Sequence, residues 1–160
     1  MGRSAGDVCG EGGPGVVRAA VWFRAAAVLM LLFAVGHTYG FLAFRPDTAE
    51  GRAVWEAMNS VRFAAGRATF SYGGFYTGFG LSISAFDLFS AWLAWTLGSM
   101  ARAGERRARP IGWAMFVLQC VGFALSLRYF SVGPAVLSAL AALFFLLGTI
   151  FVGRVAVTPG

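Results

Sequence analysis

The stretch VGPAVLSALAALFFLLGTIFV, from Val132 to Val152, runs for 21 residues without a charged side chain. A helix rises 1.5 Å per residue, so about 20 apolar residues cross a hydrocarbon core of about 30 Å. The stretch therefore predicts a membrane-spanning helix. Three more runs of the same kind precede it: Ala25 to Phe44, Phe75 to Gly98 and Ile111 to Leu127. The third has only 17 residues, but Trp113 and the flanking Arg109 and Arg128 extend it as interfacial anchors. Four runs predict an all-α, four-helix transmembrane bundle.

Composition agrees. Hydrophobic residues make up 58% of the chain and charged residues 12%, with a mean hydropathy of +0.70; a soluble domain carries about 25% charged residues. Residues 21–156 read as one four-span membrane domain, and residues 1–20 as a disordered cytoplasmic tail whose first fourteen residues are glycine-rich. The first run reads as a retained span and not as a cleaved signal. It is 20 residues long and ends in Tyr39-Gly40-Phe41-Leu42-Ala43-Phe44, without the small residues that a cleavage site requires.

Arginine counts predict the orientation. Arg3, Arg18, Arg24, Arg102, Arg106, Arg107, Arg109 and Arg154 fall on one side of a four-span layout; Arg45, Arg52, Arg62, Arg67 and Arg128 fall on the other. The positive-inside rule makes both termini cytoplasmic. The cluster Arg102, Arg106, Arg107 and Arg109 lies directly against two spans, which suits anionic lipid head groups better than nucleic acid. The net charge of +6 is accordingly a topology signal.

The segment Arg45 to Ser71 carries a helix start. Pro46 disfavours continuation of the first span, Asp47 or Thr48 can cap a new helix, and Glu50 falls in its first turn. Val54, Met58, Val61 and Ala65 then recur at helical spacing, predicting an amphipathic interfacial helix that Gly66 ends.

Within the spans, lipid removes most of the hydrophobic drive for helix association, and small and polar residues mark the contacts. Gly73, Thr77, Gly80, Ser84, Asp87 and Ala91 form such a stripe in the second span; Gly112, Met115, Gln119, Gly122 and Ser126 form one in the third. The pairs Gly36 with Gly40 and Gly74 with Gly78 are spaced for helix packing, and Gly80 joins them. The segment Ser71 to Gly80, with four glycines and four aromatics, suits an outward-facing pocket in which Tyr76 takes part.

Asp87 and His37, the single histidine, lie about 16 Å and about 18 Å from the cytoplasmic ends of their spans, and Gln119 about 12 Å. Ionisable groups at such depth suggest function. If the faces meet, His37, Asp87 and Gln119 form one polar cluster, with Ser84, Thr77 and Tyr76 as further ligand or proton-site candidates. No catalytic set is legible, because no nucleophile stands beside a base. Nor is a cofactor or metal implied: Cys9 and Cys120 make no C-x-x-C, and one histidine cannot supply bis-histidine haem ligation, which leaves only Met30 or Met115 as an axial partner.

The combination Gly36-His37-Thr38-x-Gly40, a helical loop, and Tyr72-x-x-Phe75-Tyr76-x-Gly78-Phe79-x-x-Ser82 resembles an uncharacterised group of small bacterial four-span membrane proteins. The layout is also similar to that of DoxX-like proteins. These resemblances imply a fold and a location, and no activity. The readings that follow are a non-enzymatic binding or structural subunit, alone as a homo-oligomer or with a membrane partner; a small proton-linked transporter using Asp87 and His37; and a membrane enzyme or redox protein acting on a lipid or quinone.

Overall fold

The computed structural model describes residues 14–155, and side chains from 15–154. The order is α1 (Pro14–Ala43), α2 (Ala49–Ser60), β1 (Arg62–Ala65), β2 (Ala68–Ser71), α3 (Tyr72–Arg102), α4 (Ala108–Tyr129) and α5 (Val132–Val155). The fold is all-α, and α1, α3, α4 and α5 are each long and apolar enough to cross a membrane. This is a multi-pass membrane protein. The short helix α2 lies between the first two spans. Residues 14–20, read from sequence as tail, belong to α1, where Val16, Ala19 and Ala20 are buried; residues 1–13 of that tail lie outside the described residues.

Thr48 caps α2: its hydroxyl accepts the Gly51 N–H at 3.0 Å, and Glu50 sits in the first turn. None of the residues of α2 is buried, so the cap carries weight. Thr48→Ala should weaken the helix by about 1 kcal/mol. Hydrogen exchange of the amides at 50–53 should rise while that of α4 stays constant.

The helix stops at Ser60, short of the predicted end at Gly66. Val61 and Ala65 fit the helical spacing, yet Arg62–Ala65 and Ala68–Ser71 form an antiparallel hairpin pairing Phe63 with Phe70. Gly66, at φ 62°, turns the chain with Arg67, a conformation that glycine adopts without steric cost. Phe63 packs on Phe70, Tyr72 and Phe75 with centroids 6.2, 4.8 and 5.8 Å apart. Those three rings favour the hairpin over a longer helix.

The described residues divide into two compact units, one of residues 14–29 with 91–155 and the other of residues 30–90. In the first, α4 and α5 form a tight helical hairpin, joined by Phe130 and Ser131. Its core is Ala19, Ala20, Phe23, Ala26, Ala27, Ala94, Leu97, Ala101, Ala108, Met115 and Phe145. Glycines permit the close approach: Gly98 faces the Ala20 carbonyl, and Gly112 faces both Thr149 and the Phe23 ring. The α4 stripe read from sequence is the buried face, with Gly112, Met115, Gln119 and Ser126 all buried.

In the second unit, the later part of α1 pairs with the first part of α3. Every member of the α3 stripe that falls here, Gly73, Thr77, Gly80, Ser84 and Asp87, is buried or half-buried. Above them lies an aromatic set in which Trp55 meets Phe44 and Tyr76 edge to face, at 6.2 and 6.3 Å.

Candidate functional site

The polar residues of the α1–α3 pair lie one helical turn apart, which is why a stripe of residues three and four apart assembles a site. His37 Nε2 is 3.1 Å from the Gly80 carbonyl oxygen. A carbonyl only accepts, so Nε2 carries the proton in the neutral ring and Nδ1 carries the free lone pair. The imidazole is held between Phe33, edge-on at 6.1 Å, and Phe41, stacked at 5.7 Å.

The Thr38 hydroxyl is 2.7 Å from the Ala34 carbonyl and 2.7 Å from the Ser84 hydroxyl. It has one proton, which goes to the carbonyl, so Ser84 donates to Thr38. Thr77 donates to Gly73 O at 2.9 Å within its own helix. Tyr76 is exposed and packs on Phe41, with centroids 5.1 Å apart.

Asp87 follows Ser84 by three residues on the same face of α3. It is the sole acidic residue in the four membrane-length helices. Its Oδ2 is shielded from solvent and has no hydrogen-bond partner among the described residues. His37 belongs to the same compact unit as Asp87. A buried carboxylate oxygen without a donor costs about 1 to 3 kcal/mol, and more when charged. The same unit has an apolar groove of about 590 Å³ lined by Ala34, Val35, Thr38, Tyr39, Leu42, Ala43 and Leu88.

No family model, curated protein or solved structure matches this chain. The site is therefore read from its own geometry.

His37, Thr38, Ser84 and Asp87 share the second unit; Gln119 is buried in the first. Of the glycines read as packing positions, Gly80 lies directly under the Phe41 ring. Gly36, Gly40 and Gly78 have no atom within 4 Å of where a side chain would begin, and Gly74 meets only Ser71. On α1 the buried positions are Val16, Ala19, Ala20, Phe23, Ala26, Ala27, Met30 and Ala34 instead. In the region of Ser71 to Gly80, where a pocket was expected, a groove of about 320 Å³ is lined by Phe70, Gly74, Phe75, Gly78, Phe79 and Ser82, and Tyr76 is not part of its lining. Sequence reasoning missed Thr38, whose hydroxyl links the two helices; its place one residue after His37 was the available signal.

Among the described residues no three His, Cys, Asp or Glu side chains gather as a metal ion would require. Arg102, Arg106, Arg107 and Arg109 are all exposed. Arg106 turns toward a small cavity it shares with Glu105, Ala101 and Val16, while Arg109 lies against α5 at Gly153.

Proposed function

We propose that this protein is a non-enzymatic binding subunit of a bacterial inner membrane, with both termini cytoplasmic, and that Asp87 takes part in what it binds. The observation that carries this reading is the shielded, donorless Oδ2 of Asp87 within an apolar helix. A hydrogen-bond donor from a membrane-soluble ligand, or from a neighbouring membrane subunit, would satisfy it. The open faces at Gly36, Gly40 and Gly78 favour the approach of another helix.

Native mass spectrometry after gentle solubilisation tests this. Asparagine keeps the shape of Asp87 and removes its charge. A bound molecule or partner subunit should appear with the native chain and be lost, about tenfold or more, in Asp87→Asn. A bare monomer, or a complex indifferent to the substitution, would leave Asp87 as interhelical glue and overturn the reading.

A second reading, proton-linked transport, rests on the presence of His37 and Asp87 in the same compact unit and on the lone pair at Nδ1 of the neutral ring. Once a substrate is found, undiminished proton-coupled uptake by the Asp87→Asn variant would remove it.

A further inference from the structure

The first unit holds a second polar feature that the α1–α3 site does not use. The beginning of α4 and the end of α5 enclose a groove of about 410 Å³ lined by Arg109, Trp113, Thr149, Ile150, Gly153 and Arg154. Two of these are guanidinium groups from opposite ends of the sequence's last hairpin. From the topology of that hairpin, we infer that this groove is a site for the phosphodiester head group of an anionic phospholipid, held between Arg109 and Arg154.

The chemistry of the lining carries the assignment. No carboxylate lines the groove, and the described residues of this unit contain eight arginines against one acidic residue, Glu105, which lines a different cavity. Arg109 is laid across α5: its Nε and Cζ are 3.2 and 3.3 Å from where a side chain at Gly153 would start. Glycine at 153 is thus what lets the guanidinium lie down over α5. Arg154 is steered by Phe151, its Cζ 5.6 Å from the ring centroid. Arginine presents a planar fork of donors that matches phosphate oxygens two at a time.

The rest of the lining is apolar. Trp113 is one turn along α4 from Arg109, on the same face, and packs edge-on against Phe116 at 5.6 Å. Ile150 stands opposite on α5, and the Thr149 hydroxyl is already spent on the Phe145 carbonyl at 2.7 Å. A free phosphate would have no use for the tryptophan and isoleucine. A phospholipid does, since its glycerol backbone and upper acyl chains follow the head group into the apolar part. The site lies at the ends of membrane-length helices, where interfacial tryptophan and arginine belong. It differs from a diffuse basic surface in requiring Arg154, which is far from the Arg102 to Arg109 run in sequence.

The test is native mass spectrometry of the full chain in detergent, titrated with phosphatidylglycerol, with phosphatidylcholine and with inorganic phosphate. Phosphatidylglycerol should bind most tightly, and the double variant Arg109→Gln with Arg154→Gln should lower its affinity about ten- to thirtyfold. The pair Arg102→Gln with Arg107→Gln, equal in charge lost, should change it less than threefold. Gly153→Leu fills the groove without altering any charge, so it should weaken phosphatidylglycerol binding as the double variant does, even if that variant folds poorly. Equal losses in both arginine pairs would overturn the site in favour of diffuse attraction. Equal binding of the two lipids would overturn it, and so would displacement of phosphatidylglycerol by inorganic phosphate, the mark of a soluble-anion site.

Discussion

Gly80→Leu should cost about 1 to 3 kcal/mol of stability and release His37 from its position. A side chain at residue 80 would begin in steric overlap with the far end of the Phe41 ring. Phe41 cannot swing away cheaply, because it is stacked on His37 at 5.7 Å and packed on Tyr76 at 5.1 Å. The leucine must therefore push α1 from α3. The carbonyl that His37 Nε2 bonds belongs to Gly80 itself, and the Ser84 to Thr38 hydrogen bond lies one turn further along. Both are lost together when the helices part. Gly78→Leu is the matched control: it has no atom within 4 Å and should leave stability within about 0.5 kcal/mol. Unfolding by denaturing detergent, with the His37 ring proton signals as a local probe, would detect both effects. Similar losses at 78 and 80 would show that the α1–α3 contact is not at Gly80.

This contrast between two glycines explains how much of the site could be read in advance. On α3 the apolar background is broken by Gly73, Thr77, Gly80, Ser84 and Asp87, so the contact face announces itself. On α4 the same is true of Gly112, Gln119 and Ser126. On α1 the stretch from Ala25 to Val35 is apolar on all sides, and much of the helix's contact face is drawn in alanine, which small-residue spacing cannot tell from lipid-facing alanine. Gly36 and Gly40 were consequently conspicuous and are in the open, whereas Ala19, Ala26 and Ala34 were inconspicuous and are buried.

The other failures have equally local causes. Thr48 capped α2 as its position before Glu50 suggested, because capping is decided by near neighbours. The hairpin at Arg62–Ser71 was hidden because four-residue strands are too short to show an alternating pattern, and Val61 and Ala65 happened to continue a helical one. Its determinant is an aromatic cluster around Phe63 that assembles only when residues 70, 72 and 75 come near. Arg109 and Arg154, 45 positions apart in the chain, likewise line one groove only because α4 and α5 form a hairpin.

Phe23→Ala should be the most damaging single truncation in the first unit. Phe23 is fully buried, as is Phe145, whose ring centroid is 6.4 Å away. Its ring also closes over Gly112 and Gly148, the two glycines that bring α4 and α5 against it. In a soluble core the loss would combine a transfer term and a cavity term. Here the transfer term is small, since lipid is as apolar as the core. What remains is the cavity: about 24 cal/mol per Å³ over a lost volume of about 100 Å³ gives about 2 kcal/mol. Phe123→Ala removes the same volume from an exposed position of α4 and should cost under about 0.5 kcal/mol. Paired unfolding measurements in detergent decide between packing and bulk hydrophobicity as the force that holds this unit. If the two phenylalanines cost the same, the protein is stabilised by apolar content alone, and the fitted glycines opposite Phe23 have no energetic role.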